Sequence, residues 1–167
     1  GPVTAKFEAG FAEYCGAPGA VSVASGTAGL HILLKAMGIG RGDEVITPSM
    51  TFASTVNQLV LAGAKPVFVD CDYGTLNLDV GAVEALITPK TKAVIPVHFA
   101  GGPCDMDPLM ELARRRGVAV IEDAAHAVGT RYRGKPVGSH GNPAIFSFHP
   151  IKNITTGEGG MVTLHNQ

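Results

Sequence analysis

Two side chains late in the sequence, Ser147 and Lys152, are suited to chemistry on a phosphorylated carbonyl compound. They lie five positions apart, on either side of the end of an apolar strand predicted over residues 144–147, so both can face one pocket at its carboxyl edge. A hydroxyl group suits a phosphate oxygen, and an amine in a partly desolvated pocket loses its proton more readily and can attack a carbonyl carbon. The pair therefore indicates the chemistry of an aldehyde cofactor. The plainer alternative is a solvated surface lysine and a turn serine.

A turn of small residues, Ser25-Gly26-Thr27-Ala28-Gly29, is a second candidate phosphate site. It joins a strand predicted over residues 20–24 to a helix that runs to about residue 37. Such a turn leaves backbone N–H groups free at a helix N-terminus, where the helix dipole favours an anion. The alternative is that Ser25 or Thr27 only caps the helix.

An acidic side chain, Asp123, follows the apolar strand predicted over residues 118–121. Alternation along the strand directs Asp123 to the pocket and Glu122 to the opposite face. A buried carboxylate needs a partner, and a pyridinium nitrogen would supply one, because the carboxylate keeps the ring protonated and the protonated ring accepts electrons. His126 could lie along such a ring, or it could be a core histidine bonded to the backbone.

An aromatic side chain, Phe52, stands where a planar ring could stack on it. It follows the strand predicted over residues 44–47, at the start of a helix that Thr51 could cap and that runs to about residue 62. The alternative for Phe52 is ordinary core packing.

Two other ligand classes are disfavoured by the pattern. A dinucleotide fingerprint must follow a strand, whereas the candidate glycines precede the strand at 44–47: Gly38, Gly40 and Gly42. A metal site would need clustered soft ligands, and one loop offers only a spread set: His98, Cys104, Asp105 and Asp107. We therefore expect neither a nicotinamide cofactor nor a metal.

Alternating strands and helices predict the fold that would position these residues. The predicted strands cover residues 20–24, 44–47, 65–70, 91–97, 118–121, 144–147 and 161–164, with helices at 1–19 and between the first five strands, including 79–87 and 107–116. This alternation favours a three-layer α/β/α domain with a mostly parallel seven-stranded sheet and right-handed crossovers. The tight loop before the last strand allows that strand to run antiparallel.

Length, composition and charge limit the number of domains, the possible partners and the cellular location. The 167 residues suit one domain, and 46% hydrophobic against 16% charged residues suits a sheet covered on both faces. A net charge of −1 disfavours nucleic acid and anionic membranes as partners. Three cysteines without metal-ligand spacing, no signal peptide and no apolar span predict a cytoplasmic protein with reduced thiols.

Taken together, three motifs give the sequence a family resemblance. They are Ser25-Gly26-Thr27-Ala28, Glu122-Asp123-Ala124-Ala125-His126 and Ser147-Phe148-His149-Pro150-Ile151-Lys152-Asn153. The sequence resembles, over its whole length, the DegT/DnrJ/EryC1/StrS family of pyridoxal-phosphate sugar-nucleotide aminotransferases. The resemblance implies the large domain of the aspartate-aminotransferase fold, fold type I, with pyridoxal 5'-phosphate as the cofactor.

The resemblance also implies a role for each candidate residue. Lys152 would be the Schiff-base lysine and afterwards the acid/base that moves a proton between cofactor and substrate carbons. Asp123 would hold the pyridine nitrogen, Phe52 would stack on the ring, and His126 would sit beside the ring near its hydroxyl. The cofactor phosphate would be bound by Gly26, Thr27, Ala28 and Ser147.

The presence of Lys152 bears on the reaction that the resemblance implies. One branch of the family replaces this lysine by histidine and carries out dehydration, so Lys152 favours transamination from glutamate to a 4-keto sugar nucleotide. Several runs look most like members that aminate a UDP-linked 4-keto-pentose for lipid A modification. The competing hypothesis is a catalytically silent module that binds pyridoxal phosphate or serves assembly.

Length adds an expectation about organisation. Family members are more than twice as long, so residues 1–167 are expected to be the cofactor-binding large domain without the C-terminal small domain. In the family, two subunits form each active site, which implies a homodimer for the full-length protein.

Overall fold

The computed structural model describes residues 1–165 and contains one mixed sheet covered by helices. The helices are α1 Pro2–Cys15, α2 Gly26–Ala36, α3 Ala53–Ala62, α4 Val80–Leu86 and α5 Met106–Arg116, with a short 3-10 turn at Phe99–Gly101. The strands are β1 Gly19–Val23, β2 Glu44–Pro48, β3 Lys65–Val69, β4 Thr91–Val94, β5 Ala119–Val120, β6 Glu122–Asp123, β7 Arg131–Tyr132, β8 Lys135–Pro136, β9 Ala144–Ser147 and β10 Gly160–Leu164.

The sheet consists of two four-stranded groups that meet at Ile121. One group has the order β3-β2-β4-β5 and the other β1-β10-β9-β6. They are continuous because Ile121 donates its N–H to the Val94 carbonyl at 3.1 Å, and the next residues continue the pairing with a bond from the Asp123 N–H to the Pro96 carbonyl at 2.8 Å. Counting β5 and β6 as one interrupted strand gives seven strands in the order β3-β2-β4-β5/β6-β9-β10-β1.

Among the strands that the structure describes, only β10 runs against the rest of this sheet. It is antiparallel to both β1 and β9, whereas the pairs β2–β3, β2–β4, β4–β5 and β6–β9 are parallel. The mostly parallel sheet and the reversed last strand are as predicted. A two-stranded hairpin of β7 and β8 lies outside the sheet, in a stretch for which the sequence predicted no strand.

Helices cover both faces, because neighbouring residues of each strand point to opposite sides. One face packs α2 and α3 against side chains that include Val45, Ile145 and Val162. The other face packs α4 and α5 near Ile46, and α1 against residues such as Phe146 and Met161. The predicted three-layer α/β/α architecture is confirmed. Within residues 1–165, no helix combines the length and apolarity that crossing a bilayer requires.

The start of α3 differs from the prediction. Its N-cap is Phe52, which provides no capping side chain, and the buried Thr51 hydroxyl has no hydrogen-bond partner. The prediction that Thr51 caps this helix was therefore wrong. The chain turns one residue later than the sequence indicates, so the Thr51 side chain does not reach the free N–H groups of the first turn.

Candidate functional site

A cavity of about 310 Å³ opens where the parallel strands end. Loops and helix starts that follow β1, β2, β6 and β9 contribute its walls, which is the usual ligand position in an open α/β sheet. Seven of the eight predicted site residues line it: Gly26, Thr27, Phe52, Asp123, His126, Ser147 and Lys152. Residues that lie far apart in the sequence thus share one site.

The eighth predicted residue, Ala28, does not line the cavity. Ser25 is the N-cap of α2, and its Oγ accepts the Ala28 N–H at 3.1 Å. Ser25 therefore caps α2, which is the alternative role considered for it in the sequence analysis. Its hydroxyl uses the Ala28 N–H, so that N–H is not free for a ligand. The backbone of Gly26 and Thr27 remains at the cavity wall.

Close packing places this turn against the ends of β9 and β10. A Cβ atom added to Gly26 would lie 3.2 Å from the Ser147 Cβ. One added to Gly160 would lie 2.6 Å from the Ser25 carbonyl carbon and 2.7 Å from the Gly26 nitrogen. Only glycine fits at Gly160, because real Cβ atoms do not approach backbone this closely. Because Gly26 and Gly160 have no side chains, the α2 N-terminus can lie beside the Ser147 hydroxyl.

The Asp123 carboxylate is held by two neutral donors. Its Oδ2 accepts the Thr55 hydroxyl at 2.9 Å, and its Oδ1 accepts the Ala125 N–H at 3.2 Å. Thr55 is completely buried in the first turn of α3. Sequence reasoning missed Thr55. Its one available signal was the spacing of three residues from Phe52, which places both on the same turn of a helix.

Lys152 and His126 form the basic part of the site. Lys152 Nζ lies 2.9 Å from His126 Nε2 and 5.8 Å from the centre of the Phe52 ring. Burial lowers the pKa of His126, the positive charge of Lys152 lowers it further, and the negative charge of Asp123 opposes both effects. A lysine ammonium can only donate, so the neutral His126 ring accepts a hydrogen bond from Lys152 Nζ at its Nε2. Phe52 is 69% exposed at the rim, and core packing does not account for it.

Glu122 lies on the other face of β6, as alternation predicted, and it belongs to a buried polar network. Its Oε2 accepts hydrogen bonds from His98 Nε2 at 2.8 Å and His140 Nδ1 at 3.2 Å, and its Oε1 accepts one from Asn142. Burial raises the pKa of Glu122, but the bonds from His140 and His98 outweigh it and leave the pKa below its usual value. The carboxylate is therefore charged within the core.

The same network contains two residues that were considered as metal ligands from the sequence, His98 and Cys104. His98 Nδ1 accepts the Cys104 N–H at 3.1 Å, and Cys104 Sγ donates to the Val97 carbonyl. The proton of a neutral His98 is thereby placed on Nε2, facing Glu122. Across residues 1–165, no three His, Cys, Asp or Glu side chains are grouped as a metal ion would require.

The cavity therefore combines an amine with an imidazole, a fixed carboxylate, and a helix start beside a hydroxyl. These groups suit a ligand that carries an anion at one end, a basic ring nitrogen, and a carbonyl group within reach of an amine.

Solved structures with the same architecture cover almost all of this chain. The 3-amino-5-hydroxybenzoic acid (AHBA) synthase is 44% identical over 99% of the chain, with a TM-score of 0.97. DesI, solved in the presence of its TDP-sugar product, is 43% identical over 99%, with a TM-score of 0.94. Spr1654 from Streptococcus pneumoniae, designated a sugar aminotransferase and solved in PLP and PMP forms, is 37% identical over 100%, with a TM-score of 0.95.

The match to these proteins is partial on their side. The chain spans 43%, 42% and 46% of AHBA synthase, DesI and Spr1654, respectively. The sequence profile of one family, described as the DegT/DnrJ/EryC1/StrS aminotransferase family, matches residues 1–167. With the fold, the grouped motif residues and this match in agreement, the chain belongs to the DegT/DnrJ/EryC1/StrS aminotransferase family.

Proposed function

We propose that this protein is a pyridoxal-phosphate-dependent aminotransferase that transfers an amino group from glutamate to a keto sugar nucleotide. Residues 1–167 would be its cofactor-binding large domain. One observation carries the proposal: the Lys152 amine, the Asp123 carboxylate and the turn at Gly26 line one cavity of about 310 Å³. The PLP and PMP forms of Spr1654 support the choice of cofactor.

The residues present fit pyridoxal phosphate. The α2 N-terminus lies so close to Ser147 that a side chain at Gly26 would crowd it, which suits a phosphate bound by backbone N–H groups and a hydroxyl. Asp123 keeps lone pairs beyond those used by Thr55 and Ala125. A pyridine nitrogen can therefore donate to it. Neither the anion site nor the carboxylate would be left without a partner.

Each side chain would have a distinct task. When bound, pyridoxal phosphate supplies a carbonyl carbon for the amino group and a ring that accepts electrons. Asp123 would keep the ring nitrogen protonated, and Phe52 would cover one face of the ring. Lys152 Nζ would bind the cofactor covalently and, once released, move a proton between carbon atoms. His126 would accept a hydrogen bond from the released amine, as it does at 2.9 Å.

The substrates are the finer part of the proposal. DesI was solved with a TDP-sugar product, which supports a nucleotide sugar as the amino acceptor. Glutamate as donor, a homodimer with shared active sites, a cytoplasmic location and a UDP-linked 4-keto-pentose as acceptor stay predictions. AHBA synthase, named for an aminated hydroxybenzoic acid, makes a carbocyclic compound without a nucleotide the second candidate substrate.

Absorbance spectroscopy tests the reaction. Purified protein with pyridoxal phosphate should develop the visible absorbance of covalently bound cofactor, and glutamate should convert it to the pyridoxamine form. A keto sugar nucleotide should then restore the first spectrum. A spectrum that glutamate leaves unchanged would favour the silent module, and protein that binds no cofactor would refute the proposal.

Substitution of Lys152 tests its assignment. Lys152→Ala should abolish the visible absorbance and leave the far-UV circular dichroism unchanged, because the half-buried lysine contributes little to the core. Lys92→Ala, at an exposed position of β4, is the matched control and should bind cofactor normally. Visible absorbance that persists in Lys152→Ala would show that another amine holds the cofactor.

A further inference from the structure

We propose that Thr55 is a positioning residue that orients the Asp123 carboxylate toward the ring nitrogen of the cofactor, an inference that rests on the proposed function. Thr55 Oγ1 donates to Asp123 Oδ2 at 2.9 Å, although 68 positions separate the two residues in sequence. Thr55 is wholly buried and lines the same cavity as Asp123.

The two donors to Asp123 fix the plane of its carboxylate. Thr55 approaches from α3 and binds one oxygen, while the Ala125 N–H binds the other at 3.2 Å. The terminal torsion of an aspartate is otherwise broad, so the carboxylate could turn away from the cavity if only one oxygen were held. Both donors are neutral, so neither cancels the negative charge that would attract a protonated ring nitrogen.

The position of Thr55 couples two parts of the site. Its N–H donates to the Phe52 carbonyl at 3.1 Å, so both side chains belong to the first turn of α3. Asp123 is the last residue of β6. In the sheet, β4 separates the interrupted strand β5/β6 from β2, and β2 leads into α3. The hydroxyl therefore connects the helix turn that carries the exposed aromatic ring to the strand end that carries the acid.

The alternative is that Thr55 is a core residue whose hydroxyl merely finds an acceptor. Thr47 is an example of such a residue: it is wholly buried in β2, and its Oγ1 donates to the Ile95 carbonyl at 3.2 Å. The two interpretations differ in one measurable respect. Only a positioning role makes the effect of Thr55 depend on the ring nitrogen of the bound compound.

Binding of two compounds measures that dependence. One is pyridoxal phosphate, and the other is its deaza analogue, in which carbon replaces the ring nitrogen and the aldehyde and phosphate are retained. Dissociation constants are measured by absorbance titration of the purified protein and of Thr55→Val, which keeps the side-chain shape and removes the hydroxyl. Thr55→Ser keeps the hydroxyl, and Thr47→Val is the matched control.

We expect Thr55→Val to bind pyridoxal phosphate about tenfold more weakly, the loss typical of a hydrogen bond to a charged group. Its affinity for the deaza analogue should change less than twofold. Thr55→Ser and Thr47→Val should keep the preference of the unchanged protein for pyridoxal phosphate. Thr55→Ala also lacks the hydroxyl and gives the same comparison if Thr55→Val does not fold.

Two results would overturn this inference without affecting the proposed function. The first is an equal loss of affinity for both compounds in Thr55→Val, which would indicate a packing role. The second is no loss of affinity for either compound. A protein with Thr55 intact that binds neither compound would instead overturn the proposed function, and the inference with it. The failure of the inference and that of the proposed function are thus distinguishable.

Discussion

Removing the Glu122 carboxylate should severely destabilise the domain. Glu122 is wholly buried on the face of β6 opposite Asp123. It accepts hydrogen bonds from His98, His140 and Asn142. Glu122→Ala leaves these three donors without an acceptor in the core and opens a cavity, so the cost includes desolvation as well as lost contacts.

The burial of Glu122 and its three hydrogen bonds indicate the size of this effect. Removing one member of a buried charged network typically costs about 3–5 kcal/mol, a large share of a domain stability of roughly 5–15 kcal/mol. Glu122→Gln should cost less, about 1–2 kcal/mol. The glutamine oxygen can accept from both histidines, and Asn142 can turn its Oδ1, which has no partner, toward the new amide group.

Urea unfolding followed by circular dichroism gives the free energy of unfolding of each variant. Glu111→Ala is the control, because Glu111 is exposed on α5 and pairs with the exposed Arg114, and it should change stability little. A loss below about 1 kcal/mol in Glu122→Ala would refute the reasoning. A Glu122→Gln loss as large as that of Glu122→Ala would refute the reorganisation assigned to Asn142.

Two further predictions concern acid and the glycine beneath the helix start. The pKa of Glu122 in the folded protein lies below its ordinary 4.5, so its contribution to stability is complete above that pH and is lost as the pH falls through the folded value. Urea midpoints between pH 3 and 6 should therefore fall less steeply toward acid in Glu122→Gln, and equal slopes would contradict this. Gly160→Ala should cost about 1–3 kcal/mol and weaken binding of pyridoxal phosphate, because its Cβ meets the Ser25 and Gly26 backbone within 2.8 Å. Gly10→Ala, with no atom within 4 Å of the added Cβ, is the control and should not weaken binding.

Local sequence patterns were sufficient to predict the sheet and the face of the sheet to which strand residues point. Apolar runs and intervening helices gave the layers, and alternation separated Asp123, at the cavity, from Glu122, in the core. The strand at residues 118–121 was placed slightly early: the observed strand begins at Ala119, and the Ile121 N–H carries the pairing on to Asp123. The hairpin of β7 and β8 was missed because its four residues are mostly polar and form no apolar run.

Contacts between distant segments were beyond what the sequence could predict. The bond from Thr55 to Asp123 depends on how α3 crosses the strand ends, and nothing at residue 55 signals an acid 68 positions away. His98 was weighed as a metal ligand because its type is visible and its partner Glu122 is not. The Thr51 cap failed for a local reason, since a shift of one residue at a helix start changes which side chain can reach it.

The place of β10 in the sheet has a consequence for how the protein acquires its shape during synthesis. β10 lies between β1 and β9, and Gly19 pairs with Leu164, so residues 24–159 separate β1 from its partner in the described sheet. Closing so long a loop is slow compared with forming local contacts. The ribosome must therefore deliver Gly160–Leu164 before β1 can dock and the helix start at Gly26 can take its position. A nascent chain can form β2, β3 and β4 early, whereas the anion site at Gly26 and Ser147 forms only after β10 has been synthesised.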